Sequence, residues 1–160
     1  MCLTSRYKDP FIAKKDIECY KQIQVTKVND QIIFYTPYRH KDVTNEVRNT
    51  KILVPEFWSR VQAQLDYFFK FRKRKTYYIK GGYIHSYMPH TLWDIDRMRL
   101  SGYNSDCIYL KCIIPAGSLY YKDEFCGEYA SDKIIITESD ENINNFLDNI
   151  YHHKKKYNQR

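Results

Sequence analysis

A lysine occupies an unexpected place in this chain. Ile17, Cys19, Lys21, Ile23 and Val25 alternate along one stretch, and every member of that set except Lys21 is apolar. Alternate residues of a strand share a face, so the pattern sets an ammonium among apolar side chains. Burying that charge is costly unless it is paired or meets an anion. Lys21 is therefore a candidate anchor for a phosphate or carboxylate, although a snorkelling or internally paired lysine would give the same pattern. A second group, Tyr83-Ile84-His85-Ser86-Tyr87, follows Gly81-Gly82. Tyr83, His85 and Tyr87 would share a strand face and form an aromatic slot for a base, with His85 or Ser86 bonding a ribose or phosphate. A plain sheet-surface histidine fits the same residues equally well. Two-histidine phosphoesterase chemistry would need a matching second motif, which His90 does not supply.

The third group lies in Ile113–Ile136, IIPAGSLYYKDEFCGEYASDKIII, where two apolar runs flank an insert with one Pro, two Gly and three Tyr. A sheet presents a polar, aromatic-lined loop in this way, and such a loop suits a small polar ligand. Tyr120, Tyr121, Tyr129 and Ser131 are its candidate contacts, and Glu128 or Asp132 could bond a ribose hydroxyl. Tyr38 and Arg39 complete the candidate ligand set, Arg39 as a bidentate phosphate partner beside Lys21.

Other chemistries find little support. The five cysteines (Cys2, Cys19, Cys107, Cys112, Cys126) contain no C-x-x-C pair, so no metal site is expected. None has a histidine at a recognisable nucleophile spacing. Asp123-Glu124 and Asp140-Glu141 read as exposed loop and helix-start charges, and Gly81-Gly82 lacks the phosphate-loop pattern. No catalytic residue and no cofactor are assigned.

The positions of these groups depend on the elements around them. Residues 1–15 read as a lead-in segment, Asp16–Val28 as a strand, and Val28-Asn29-Asp30-Gln31 as a turn into a strand at Ile32–Thr36. Pro37–Asn49 reads as loop, and Pro55–Phe71 as a helix on the spacing of Trp58, Val61, Leu65, Phe68 and Phe69, with a strand as the other reading. Tyr77–Tyr87 reads as a strand bent at its glycines, and Pro89–Leu100 as a helix. Strands are expected at Asp106–Ile114, Ser118–Tyr121 and Lys133–Thr137. Ser139–Tyr151 forms a capped helix with Ile143, Phe146, Leu147 and Ile150 inward, before a flexible basic tail over 152–160. The sum is an α+β fold, a mainly antiparallel sheet flanked by helices in a single domain.

At 160 residues the chain can bury a core without disulfides or metal. Its net charge of +7 favours anionic partners, and Lys70–Lys75 with Lys154–Lys156 carry much of that charge. Sixteen tyrosines supply flat amphipathic rings, for core packing or for stacking on a ligand. No signal peptide or membrane-length apolar run is evident, which points to a soluble protein of a reducing cytoplasm, with no membrane partner.

Three blocks, Ile12–Lys21 (IAKKDIECYK), GGYIHSY, and IPAGSLYY with GEYASDKIII, resemble a group of small proteins from gut Bacteroidetes and their phages. They span most of the chain, and they imply origin more than activity. A more distant likeness is to ADP-ribosyltransferase-type folds, in which an early basic residue, an aromatic/Ser strand and a late acidic strand enclose NAD. Lys21, Tyr83–Tyr87 and Tyr129–Ile136 stand in that order, but the late strand offers only Glu128 as an acid. A small, basic, Tyr-rich chain without catalytic machinery is expected to be a non-enzymatic protein that sequesters a small anionic nucleotide, and the phage-like resemblance implies its class, a cyclic ADP-ribose-type or cyclic dinucleotide immune signal of the host. In that case it would work in the host cytoplasm. The first alternative is an ADP-ribosyltransferase-like or nucleotide-hydrolysing enzyme using His85 and Glu128. The second is a nucleic-acid binder using Lys70–Lys75 and the basic tail, a weaker reading. A homo-oligomer stays open.

Overall fold

Strand β3, Ile17–Val28, organises the molecule. A computed structural model describes residues 4–5, 7–37, 41–55, 77–79, 82–89, 107–124 and 127–157. β3 lies near the middle of the main sheet and pairs along most of its length with β8, Cys107–Ile114, from Ile17↔Ile114 to Gln24↔Cys107. Both runs are rich in β-branched and aromatic residues, which pack well on a pleated surface. At its far end β3 turns into β4, Gln31–Tyr35. Asn29 (φ 47°) and Asp30 (φ 64°) both adopt left-handed backbone, as a two-residue hairpin turn with the twist of its strands requires. Lys27 closes the turn by an ion pair to Asp30 at 2.8 Å.

The remaining strands are β1 (Thr4–Ser5), β2 (Phe11–Ile12), β5 (Ile52–Leu53), β6 (Tyr77–Tyr78), β7 (Ile84–Tyr87), β9 (Leu119–Asp123), β10 (Glu128–Ser131) and β11 (Ile134–Ile136). Across the main sheet the order is β2-β9-β10-β7-β3-β8-β11-β5, with β4 beside β3, and all of these pairs are antiparallel. β1 and β6 form a separate two-stranded sheet. A mainly antiparallel sheet therefore dominates the described residues, as expected, and helix is sparse among them.

Three local expectations differ from what is found. The insert between the apolar runs is a hairpin of β9 and β10 built into the sheet, rather than a loop at its edge. Both faces of β9 are partly exposed, and such a strand needs no apolar run. The stretch Tyr77–Tyr87 does not run as one bent strand. β6 and β7 belong to different sheets, and Gly82 between them has φ 104°, outside strand backbone. The lead-in segment contributes β1 and β2. The expected helices Pro55–Phe71 and Pro89–Leu100, and the run Lys70–Lys75, lie outside the described residues apart from Pro55 and Pro89.

One face of the sheet carries the apolar core. Cys19, Ile23 and Val25 of β3, Ile108, Leu110, Cys112 and Ile114 of β8, Ile84 of β7 and Ile134 and Ile136 of β11 meet there. Helix α1, Asp140–Tyr157, lays Ile143 and Leu147 into this layer, with Phe146 and Ile150 packed against it. Ser139 Oγ caps the helix by accepting the Asn142 N–H at 3.1 Å. The backbone stays helical past the expected end at Tyr151. A π-helical turn, Glu46–Thr50, adds Val47 to the core and ends at Lys51 in left-handed backbone.

Candidate functional site

The opposite face of the sheet is made of different material. Registration places Tyr20, Tyr87 and Glu128 side by side across β3, β7 and β10, with Asp123 beyond on β9 and Lys111 on β8. One step along lie Ala130 and His85, flanked by Tyr121 on β9 and, across β3, by Gln22 and Tyr109. Tyr20 and Tyr109 are 7 % exposed and pack with Tyr87 as a small cluster separate from the main core. Towards β9 the face is more open, and Tyr83, His85, Tyr87, Tyr121, Asp123, Glu128 and Asp132 are all half-buried.

Ala130 carries only a methyl, and its larger neighbours cover it, leaving it 1 % exposed. Tyr83 and Tyr121 meet edge-to-face, with ring centroids 5.1 Å apart. His85 contacts Tyr87 at 4.7 Å, and Tyr87 contacts Tyr109 at 5.8 Å, both edge-on. A ring contact of this kind contributes about 0.5–1.5 kcal/mol, so a planar ligand could displace a single such contact at small cost.

His85 and Glu128 provide the polar chemistry of this face. Nε2 lies 3.1 Å from Glu128 Oε1, within reach of an ion pair or hydrogen bond. Burial holds the His85 pKa below the ordinary imidazole value. Glu128 opposes that shift, and the Lys21 charge adds to it. The imidazole is accordingly neutral at physiological pH and carries one donor and one acceptor nitrogen.

Lys21 lies on the core side and is 4 % exposed. Its Nζ donates to the main-chain oxygen of His85 at 2.6 Å. The reason is a break in the ladder. Met88 N–H donates to Gly127 O at 2.8 Å, which makes Tyr87↔Glu128 a wide pair and turns the main-chain groups of His85 and Tyr87 towards β3. β7 and β3 then pair only at Tyr20↔Tyr87. The ammonium takes the His85 oxygen that a Gln22 N–H would take if the ladder continued. Burial draws the Lys21 pKa down to about 7, with the Cys112 and Cys19 thiols opposing the shift. Those two cysteines face each other across β3 and β8. Burial pushes the Cys19 thiol up to about 12, with the Ser86 hydroxyl and Lys21 opposing, and burial also raises Cys112.

The candidate residues thus divide between the two faces. Tyr83, His85, Tyr87 and Tyr121 come together around Ala130 and Glu128. Lys21, Ser86, Tyr120, Tyr129 and Ser131 lie on the other side. Ser86 is fully buried with its hydroxyl against the Cys19 thiol, and Ser131 Oγ donates to Lys133 O at 3.1 Å. Tyr120 and Tyr129 pack against the core, 6.0 Å apart. Tyr38 and Arg39 lie outside the described residues. Sequence reasoning missed Tyr20, Tyr109, Ala130 and Lys111. The signal for Tyr20, Tyr109 and Lys111 was present, because each falls on the second face of a strand whose first face had been read.

Among the described residues no group of three or more metal-ligating side chains forms, and no helix is long and apolar enough to cross a membrane. No family model, no curated protein and no solved structure matches this chain.

Proposed function

We propose that the chain is a non-enzymatic binding protein that captures a small anionic nucleotide on the tyrosine-lined face of its sheet. The observation that carries this reading is the half-buried His85–Glu128 pair, which shares its sheet face with Tyr83, Tyr87 and Tyr121. Aromatic rings stack on a base, and a carboxylate accepts from ribose hydroxyls. The net charge of +7 attracts the phosphates, and the exposed Lys111 lies on the same face. Lys21 has a different role in this reading: its ammonium holds β7 against β3 and so fixes His85. The resemblance to proteins of Bacteroidetes and their phages makes a host immune signal, of the cyclic ADP-ribose or cyclic dinucleotide type, the natural ligand class.

The test is a thermal-shift panel of NAD, ADP-ribose, its cyclic isomers, cyclic dinucleotides and the common nucleoside triphosphates, repeated on Tyr83→Ala. A ligand present at 100 times its dissociation constant stabilises the native state by about 2.7 kcal/mol. The expected result is a clear shift for at least one compound, strongly reduced in the variant. A flat panel would remove the nucleotide reading.

The His85–Glu128 contact favours one second reading, an ADP-ribosyltransferase-like or nucleotide-hydrolysing enzyme in which the pair handles a proton. Recovering the ligand after denaturation separates the two. An intact nucleotide in stoichiometric amount supports capture, whereas turnover supports the enzyme.

A further inference from the structure

Two thiols stand face to face at the centre of the main sheet. Cys19 and Cys112 are register partners on β3 and β8, and both lie on the core side, 1 % and 2 % exposed. Cys107, the other free thiol among the described residues, stands opposite Gln24 on the other face. Around the two-residue turn, Gln24, Thr26 and Val28 direct their main-chain groups to β4, and Tyr20 directs its own to β7. The alternate residues, Cys19 among them, therefore bond to β8. Cys19↔Cys112 is thus a hydrogen-bonded pair, with Cα atoms about 5.5 Å apart. A disulfide spans about 4.4–6.8 Å between Cα atoms, so the pair is within range. Its Cβ atoms stand about 5 Å apart, against roughly 3.5–4.5 Å in a disulfide. Closing the bond draws β3 and β8 together by about 1 Å.

We propose that Cys19 and Cys112 are a reversible redox pair, which a low-molecular-weight disulfide such as oxidised glutathione converts to a cross-strand disulfide. One cysteine thiolate attacks the glutathione disulfide and expels one glutathione thiolate, leaving a mixed disulfide. The second cysteine thiolate attacks the protein sulfur of that mixed disulfide and expels the other glutathione. The protein gives up two electrons and two protons, and one oxidised glutathione becomes two reduced molecules. Burial keeps both thiols protonated, with Lys21 on the same face opposing it, so exchange waits for the sheet to open locally. The approach of two central strands strains the bond and makes it easy to reduce. Oxidation also draws the Cys19 sulfur towards β8, away from the Ser86 hydroxyl of β7. β7 is otherwise held to β3 by the Tyr20↔Tyr87 pairing and by the Lys21 ammonium on the His85 oxygen. The disulfide therefore loosens the strand that carries His85 and Tyr87.

The experiment equilibrates the folded chain carrying Cys2→Ser, Cys107→Ser and Cys126→Ser in glutathione buffers from fully reduced to fully oxidised. Remaining thiols are trapped by alkylation, and peptide mass spectrometry reads the cross-link. Should that variant not fold, the wild-type chain is treated in the same way, since the linked peptides identify the pair. The expected result is a Cys19–Cys112 cross-link in most of the protein at the oxidised end, lost on adding dithiothreitol. The circular dichroism of the sheet should be retained, and amide exchange at His85 and Tyr87 should be faster in the oxidised form. Glutathione left on single cysteines, or thiols still free after prolonged oxidation, overturns the proposal. A cross-link that forms only in urea does so too, because the folded sheet then holds the thiols apart. A native cross-link with unchanged exchange in β7 overturns the coupling to that strand.

Discussion

A buried ammonium makes the stability of this fold depend on pH in a direction opposite to the usual alkaline loss. The unfolded Lys21 titrates near 10.5 and the folded one near 7. Below pH 7 both states hold the proton, and the folded protein bears the full desolvation penalty. As pH rises through 7 the folded amine gives up its proton while the unfolded one keeps it. The unfolded state then binds more protons, so stability rises with pH. Between about pH 6.5 and 8.5 the rise integrates to about 2 kcal/mol for this one group. Cys19 and Cys112 work in the opposite sense, since burial holds both protonated while unfolded thiols begin to dissociate. Together they remove about 0.3 kcal/mol by about pH 8.5. His85, whose pKa burial lowers on folding, acts in the same sense as Lys21 near the start of the range. Urea unfolding followed by circular dichroism measures the difference. With a slope of about 1–3 kcal/mol per molar, the midpoint should climb by about 0.5–1.5 M across the range. Lys21→Met, close in shape and uncharged, should show less than about a quarter of that rise. A flat wild-type profile, or the same rise in the variant, would refute the assignment of this pH dependence to Lys21.

Two further outcomes concern groups whose hydrogen bonds are unusual. Ser86→Ala removes a fully buried hydroxyl that lies against the Cys19 thiol and opposes the rise of its pKa, a weak sulfur contact, so the variant should lose no more than about 1 kcal/mol in urea; a loss above about 2 kcal/mol would refute that reading of the contact. Glu138→Ala should be destabilising by about 2–3 kcal/mol, because the buried carboxylate accepts from the Lys111 N–H at 3.1 Å and from Asn142 Nδ2 at 2.8 Å, joining β8 to the first turn of α1. A midpoint close to wild type would show that this link is dispensable.

What could be read in the chain depended on period. β3, β8, β11 and α1 were legible because their apolar residues recur at two or at about 3.6, although only part of the core they build was named. β9 was expected at Ser118–Tyr121, whereas β10 escaped because its faces carry polar or aromatic side chains, which leaves no apolar alternation to find. The burial of Lys21 followed from the face it shares with Ile23 and Val25, but its partner did not. That partner is a main-chain oxygen, left available because β7 leaves the ladder after Tyr20↔Tyr87. No side-chain pattern encodes the end of a ladder.

The same break explains why the candidate residues fell on two faces. His85 and Ser86 are neighbours in sequence, and the pleat sends one to the tyrosine face and the other into the core. Only the register of β7 against β10 reveals that His85 meets Glu128 and that Ala130 lies beside both. Lys21 supports His85 from the core side of the sheet. By holding the His85 oxygen it fixes the backbone from which the imidazole projects, and burial lowers its own pKa. The buried lysine and the half-buried histidine are thus one device seen from two sides of a sheet. A variant that neutralises the first should loosen the second without touching any atom of the tyrosine face.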